Sequence, residues 1–482
     1  MTTEVRAPSV PIYLAGEFVE AGTPLEVRNP ATDEVVATTF QAGPGELERA
    51  TGAAVAAFEE TRRLPSYARR DALAHVAACI ERDADELATL LSRESGKPIR
   101  DARGEVARGA LTFRTAAEES LRINGEWLPL DWAPANKGRH GIVRRYAIGP
   151  VAGISPFNFP LNLAAHKVAP AIAAGCSIVL KPPSKDPLVM LRIAGYLSET
   201  DLPVGAVSIL PMDRPTGDLM VSDDRFKLLS FTGSPSVGWK MKADAGTKKV
   251  VLELGGNAGA IVDETADLDW AVERLVYGSF AYAGQVCISV QRIYVVRAIY
   301  DEFASRFVER VRRVKVGDPL DAATELGPMV DEKAVQRTHE WVTDAIRDGA
   351  RALVSGEPDG RWYPPTVLVD VPRDAMICSE EAFAPVVNLF AVDSFADAMA
   401  AINDSRFGLQ CGVFTASLDH ALGAHDELEV GGIIVNDVPT WRTDAMPYGG
   451  VKDSGLGREG LRWSIEDMTE PRLLAFAPTP TS

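Results

Sequence analysis

With 482 residues, 46% of them hydrophobic, the chain is long enough for two or three packed domains. Its formal charge of −17 argues against nucleic acid or an anionic membrane as the main partner, because either would repel the average surface. The opening MTTEVRAPSVPIYLAGEF has neither a basic start nor a long apolar run, and no apolar stretch reaches the ~20 residues that span a bilayer, so a soluble cytoplasmic protein is expected.

The predicted elements begin as helices. Residues 45–64, 67–95 and 99–122 repeat apolar side chains at three and four positions with charges between them, the pattern of helices with one buried face. An extended stretch follows over 140–157. From there strands and helices alternate: strand GCSIVLKPP, helix LVMLRIAGYLSET, strand AVSILP, strand FKLLSFTGS running into a glycine turn, and strand KKVVLELGG. This alternation predicts a parallel sheet with right-handed crossovers, which binds ligands at the carboxyl ends of its strands. A second α/β unit starts after LELGGN, with helix 267–284, strand RIYVV, helix 299–314 and strand GIIVND. PRLLAFAP reads as an edge strand and TPTS as a frayed tail. No internal repeat or low-complexity linker separates the units, and the domains are expected to interleave.

Five cysteines, Cys79, Cys176, Cys287, Cys378 and Cys411, are far apart and form no CxxC, so free thiols are expected. The six histidines include no HExxH, and His420 and His425 are five apart, so no metal site is expected.

Several strand-to-turn junctions carry candidate chemistry. SPFNFP sets Asn158 among prolines and aromatics, where a buried amide must find a partner or serve a ligand. Lys181 ends an apolar strand in VLKPPS, where it could face solvent or hold a ribose or phosphate. FTGSPSVG has a turn with Gly233 and Ser234 but not the spacing GxGxxG. Glu253 in LELGGN lies in an otherwise apolar strand, and desolvation there would raise its pKa toward that of a general base. Cys287, in AYAGQVCISVQR, can be read from those residues alone either as a packed thiol or as a nucleophile.

The order of seven short motifs, PFNFP, LKPPS, FTGS, LELGGN, GQVC, EEAFAP and IIVND, resembles that of the aldehyde dehydrogenase superfamily from about residue 11 to 477. The 34 residues between Glu253 and Cys287 match it as well. The resemblance implies an α/β fold with a Rossmann-type cofactor domain (1–122 and 147–255), an α/β catalytic domain (256–437) and a small β oligomerisation arm (123–146 and 463–482), in a homodimer or homotetramer. It implies NAD or NADP as cofactor and a small-molecule aldehyde as substrate.

Residue by residue, the resemblance makes Cys287 the nucleophile, Asn158 an oxyanion donor and Glu253 the base that hydrolyses a thioester. It places Lys167 and Glu459 near the catalytic centre as a proton relay. It assigns Phe157, Lys181, Gly233, Ser234, Gly255, Glu381 and Phe383 to the cofactor. Ser184 and Lys185 stand where members preferring NAD often carry a glutamate; they would not repel a 2′-phosphate, and acceptance of NADP is expected. Asn162 and His166 would add hydrogen-bonding groups to the substrate pocket, Val286 and Ile288 would line it beside Asn436, and Gly284 would open an approach to the sulfur. Arg442 could hold an anionic group or lie in solvent at the rim. Local phrases resemble the lactaldehyde dehydrogenase-like branch, which points to a small hydroxylated or anionic aldehyde such as lactaldehyde, glyceraldehyde or sulfolactaldehyde. Succinate semialdehyde is the alternative substrate, and transfer of the acyl group to coenzyme A is the alternative outcome.

Overall fold

The computed structural model describes residues 7–477; the predicted tail 479–482, and Pro478 at the end of the predicted last strand, lie outside the described residues. Helix Pro44–Thr61 starts where proline occupies the first turn and the Glu46 carboxylate accepts the Gly43 N–H at 2.9 Å. The long helix expected over 67–95 is instead two, Ser66–Arg82 and Ala84–Ser95. Asp83 breaks it, with φ −102° and ψ 22°, because its carboxylate is drawn aside by the Tyr196 hydroxyl at 2.7 Å and Arg82 at 2.8 Å. Helix Ile99–Ser120 follows as expected.

An eight-stranded sheet forms next, in the order Glu17–Val19, Ile12–Leu14, Val207–Ile209, Ile178–Lys181, Val151–Ile154, Leu228–Thr232, Lys249–Glu253 and Gly455–Leu456. Its five central strands are parallel. Their side chains alternate between two cores, so Ile178 and Leu180 pack with helices Ser66–Arg82 and Ile99–Ser120, while Val179 packs on the opposite face. Continuous apolar runs buried on both faces are what a parallel sheet requires. Helix Asn162–Ala174 is buried along its whole length, which explains why LNLAAHK shows no clear polar face.

A second sheet of seven strands has Gly259–Val262 and Arg292–Val296 at its centre, with Val386–Val392 and Gln410–Phe414 outside them, all parallel. Three further strands, Glu126–Pro129, His140–Ala147 and Thr469–Phe476, form a separate antiparallel sheet with Thr469–Phe476 at its edge. Trp127, Leu473 and Leu474 lie exposed on it at 54–63%. Among the described residues, no helix is long and apolar enough to cross a membrane.

Candidate active site

Winding of the first sheet reverses beside Val151–Ile154: the chain passes to Ile178–Lys181 and Val207–Ile209 on one side, then returns to Leu228–Thr232 and Lys249–Glu253 on the other. Such a reversal leaves a crevice at the carboxyl ends of the diverging strands. Phe157 and Asn158 follow the first of these strands, Gly233 and Ser234 the second, and Leu254 and Gly255 the third. Cys287, Glu381 and Phe383 come from turns leading into the second sheet, and all of these residues line one cavity of about 570 Å³.

Cys287 owes its position to a tight turn. The helix expected to reach residue 284 ends at Phe280, and Tyr282, Ala283 and Gly284 have φ of 47°, 53° and 68°. Gly284 is needed less for substrate access than for packing, since a Cβ there would lie 2.1 Å from the Ala384 carbonyl oxygen. The half-buried Cys287 Sγ stands 2.9 Å from the Tyr448 hydroxyl, and burial pushes its thiol pKa up to about 12. Asn158 is buried beside it, its amide donating to the Gln285 carbonyl at 3.0 Å. The Asn158 carbonyl accepts from Lys97 Nζ at 2.7 Å, and Lys97 forms a fully buried ion pair with Glu105. Glu105 also accepts from the backbone N–H groups of Leu161 and Asn162 at 3.0 and 3.1 Å. The loop bearing Asn158 is thereby fixed from behind.

Two buried carboxylates near the cavity differ sharply. Neither oxygen of Glu253 has a hydrogen-bond partner among the described residues, and burial, then the nearby Glu459 charge, raise its pKa well above the carboxylate range. Glu459 accepts from Lys167 Nζ at 3.2 Å; against the cost of burial, the Lys167 charge leads those that hold its carboxyl below the ordinary value. Lys167 also donates to Ser230 and Thr232 at 3.2 and 2.7 Å. One carboxyl therefore favours holding a proton and the other favours its charge.

The large cavity fits a dinucleotide. Ser234 caps helix Pro235–Asp244 without a side-chain cap bond, leaving its hydroxyl and the helix N-terminus available to a phosphate. Glu381 accepts the Gly256 N–H at 3.0 Å, and a Cβ on Gly255 would meet its carboxylate at 2.1 Å, so glycine is required for that approach. Burial raises Glu381 to about 7. Phe157 and Phe383 meet edge to face, with ring centroids 5.9 Å apart. Lys181 ends its strand half-buried, its stem packed on Gly217. Ser184 donates to the Met212 carbonyl at 3.1 Å, and the exposed Lys185 pairs with Asp331 on the cavity wall.

A second cavity, of about 320 Å³, opens beyond Phe159 and Val286 and is also lined by Arg108, Arg274, Thr440 and Arg442. Asn162 and His166 line neither cavity. The Asn162 side chain accepts from Arg108 at 2.8 Å and donates to Thr112 at 3.0 Å, while His166 Nε2 lies 2.8 Å from Asp444 and 3.2 Å from Arg442. The all-buried helix turns both inward, so they support the arginines and do not face the cavity. Ile288 is likewise packed into an apolar cluster with Leu409 and Tyr448. Asn436 lines neither cavity; it follows the edge strand Gly432–Val435 of the second sheet, where its side chain accepts the Thr415 N–H at 3.0 Å and its carbonyl accepts Trp270 Nε1 at 2.7 Å. Its left-handed φ of 56° marks it as a turn residue.

Arg442 is neither at the rim nor in solvent. Its side chain is 5% exposed, its guanidinium lies 3.8 Å over the Tyr448 ring, and its nearest carboxylate oxygens, on Asp444 and Glu459, are both 3.9 Å away. Arg108 Nε, Arg442 Nε and Thr440 Oγ1 are buried without a partner among the described residues. Arg108, Tyr448 and Asp444 carry no recognisable motif of their own. The only trace is that Tyr448 stands within YGGVKDSGLGREG and Asp444 two residues after Arg442.

Comparison with known proteins agrees with this geometry. Residues 18–474 match the Aldehyde dehydrogenase family. The 3-sulfolactaldehyde dehydrogenase of Priestia megaterium is 40% identical over 99% of this chain and 100% of its own length. The crystal structure of aldehyde dehydrogenase 21 from Physcomitrella patens, in complex with the reaction product succinate, superposes with a TM-score of 0.97 at 46% identity, covering 99% of this chain and 100% of that one. Glyceraldehyde-3-phosphate dehydrogenase from Methanocaldococcus jannaschii, complexed with NADP, gives 0.91 at 37% identity, over 95% and 100% of the two chains. The chain belongs to the aldehyde dehydrogenase family and is an NAD(P)-dependent oxidoreductase acting on aldehydes.

Proposed function

We propose that the chain oxidises a small anionic aldehyde, a sulfonated or carboxylated one, to the corresponding acid. The observation that carries this reading is Arg442, buried beside the nucleophile with its nearest carboxylate oxygens among the described residues 3.9 Å away, in a cavity where Arg108, Arg274 and the unpartnered Thr440 hydroxyl stand with Lys97 and Arg100 against the carboxyls of Asp101 and Glu105. An anion entering there would satisfy buried donors that otherwise remain costly. Asn162 and His166, already engaged internally, add no hydrogen-bonding groups for a neutral hydroxyaldehyde. Among the relatives, one is a 3-sulfolactaldehyde dehydrogenase and another was crystallised with succinate, while those from Methanococcus aeolicus and Methanocaldococcus jannaschii are lactaldehyde dehydrogenases.

In this reading the Cys287 thiolate attacks the aldehyde carbon, while the Asn158 amide and the Cys287 backbone N–H stabilise the oxyanion of the thiohemiacetal. Ser234, Glu381 and Lys181 would hold NAD(P), whose chemistry when bound is to accept the hydride. A thioester on Cys287 follows. Glu253, whose raised pKa suits a base, takes a proton from water as the water attacks the thioester carbon, and the acid departs from the regenerated thiolate. Lys167 and Glu459, linked at 3.2 Å, lead from that region as a proton relay. An unpartnered carboxyl base lining the same cavity as the sulfur favours water over coenzyme A as acceptor. Ser184 and Lys185 carry no negative charge toward a 2′-phosphate, which supports use of NADP.

Two features support a cytoplasmic homo-oligomer. All five cysteines are free, as a reducing compartment requires, and the exposed Trp127, Leu473 and Leu474 on the three-stranded sheet suit cover by a second subunit. The deciding measurement is kcat/KM with NAD and with NADP for sulfolactaldehyde, succinate semialdehyde, lactaldehyde, hexanal and benzaldehyde, each with and without coenzyme A. Anionic aldehydes are expected to exceed the others at least tenfold; a tenfold advantage for hexanal or benzaldehyde would refute the anion reading, and acyl-CoA product would refute hydrolysis.

A further inference from the structure

The hydroxyl of Tyr448 is the nearest polar group to the Cys287 sulfur for which a contact is seen, at 2.9 Å. We infer that Tyr448 is a catalytic residue, whose O–H donates to the Cys287 thiolate before attack and to the same sulfur when it leaves the thioester. This rests on the reading of Cys287 as the nucleophile.

Three observations define the donor. First, its backbone is fixed: Tyr448 and Glu459 exchange backbone N–H to carbonyl hydrogen bonds at 3.0 and 2.6 Å, which ties the tyrosine to the backbone of the relay residue. Second, the Arg442 guanidinium lies 3.8 Å over the phenol ring, and a cation there makes the O–H a stronger donor. Third, burial keeps the phenol protonated, holding its pKa well above the ordinary tyrosine value, so it remains a donor across the working range of pH.

The need for such a donor follows from the surroundings. Burial opposes the thiolate, and the charges of Glu381 and Glu253 oppose it further; Arg442 and the Tyr448 hydrogen bond are what favour it. Glu253 and Arg442, with Cys287 itself, are also the charged groups that face Tyr448. No proton passes between oxygen and sulfur in this scheme. The thiol proton leaves to solvent or to Glu253, the phenol retains its own, and the hydrogen bond is given up as the C–S bond forms and recovered as that bond breaks.

The test is the pH dependence of Cys287 alkylation by iodoacetamide in the cofactor-free protein, read by mass at the Cys287 peptide. Tyr448→Phe keeps the ring under Arg442 and removes only the donor. The alkylation midpoint is expected to rise by about one to two pH units, the shift that loss of one hydrogen bond to a charged group produces. A packing defect alone would change the rate at every pH and leave the midpoint in place. Incorporation of 3-fluorotyrosine at 448, a more acidic phenol of nearly the same shape, should lower the midpoint and provides the test if Tyr448→Phe fails to fold. An unmoved midpoint in either folded variant overturns the role of Tyr448. Cys287→Ala separates the two readings: if it still oxidises aldehyde the nucleophile is elsewhere, whereas an inactive Cys287→Ala with an unmoved Tyr448→Phe midpoint removes Tyr448 alone.

Discussion

The two cavities lie against neighbouring residues, Asn158 and Cys287 lining the larger and Phe159 and Val286 the smaller, and are built by different means. The larger is made of strand ends: Phe157, Gly233 and Gly255 leave their strands at the carboxyl edge of one sheet, and the backbone places them. The smaller is made of long side chains: Arg108 from one helix and Arg442 from a loop, held by Asn162, His166 and Asp444 behind them, and Arg274 from another helix, held by Asp437. A site built from backbone tolerates few changes, because a Cβ on Gly255 would occupy the space of Glu381. One built from side chains can be re-specified by a few substitutions while the sheet beneath stays intact. Cofactor use thus belongs to the fold and substrate choice to the individual chain.

Substitutions at the junction should erase the distinction, and those within one cavity should sharpen it. The largest effect is expected for Cys287→Ala, which should reduce oxidation by about 10⁴-fold or more in steady-state assays while NADP binding, followed by fluorescence titration, stays within a few-fold. Glu253→Gln comes next, with turnover falling about 10²- to 10⁴-fold but the first equivalent of reduced cofactor still formed in a stopped-flow burst. The pH profile should identify the same group. Burial and then Glu459 raise the Glu253 pKa, so its base form accumulates only as pH rises, and hydrolysis-limited kcat should climb with pH above the ordinary carboxylate range. In Glu253→Gln that rise should disappear.

Arg442→Gln should then raise KM for succinate semialdehyde or sulfolactaldehyde about 10- to 100-fold with little change in KM for NADP, on top of a smaller loss of kcat shared by every aldehyde, because Arg442 also favours the Cys287 thiolate. Equal loss for hexanal would mean that Arg442 serves the nucleophile and not the substrate. The smallest effect belongs to Lys185→Glu, which should lower kcat/KM with NADP relative to NAD by about tenfold or less, since the lysine is exposed and already pairs with Asp331.

How much could be read beforehand follows the same division. Asn158, Gly233 and Glu253 sit at or just after ends of strands whose apolar runs are visible in the sequence, Cys287 sits on the turn between a helix and the next strand, and the structure brings all four to one cavity. The helix break at Asp83 was not visible, because its cause is Tyr196, more than a hundred residues away. Asn162 and His166 were expected to face substrate, but a helix buried on every side has no polar face to reveal its orientation. Tyr448 escaped notice because its contact with Cys287 spans 161 residues.

The sequence by itself determined the periodicities, the parallel-sheet alternation and the order of motifs, since these depend on neighbours a few residues apart and on burial of apolar runs. Only the tertiary structure decided which polar side chains face a ligand and which face one another. That choice is made by desolvation: Arg442 stays short of its carboxylates while His166 reaches Asp444 at 2.8 Å, a difference of about an ångström that no local pattern encodes.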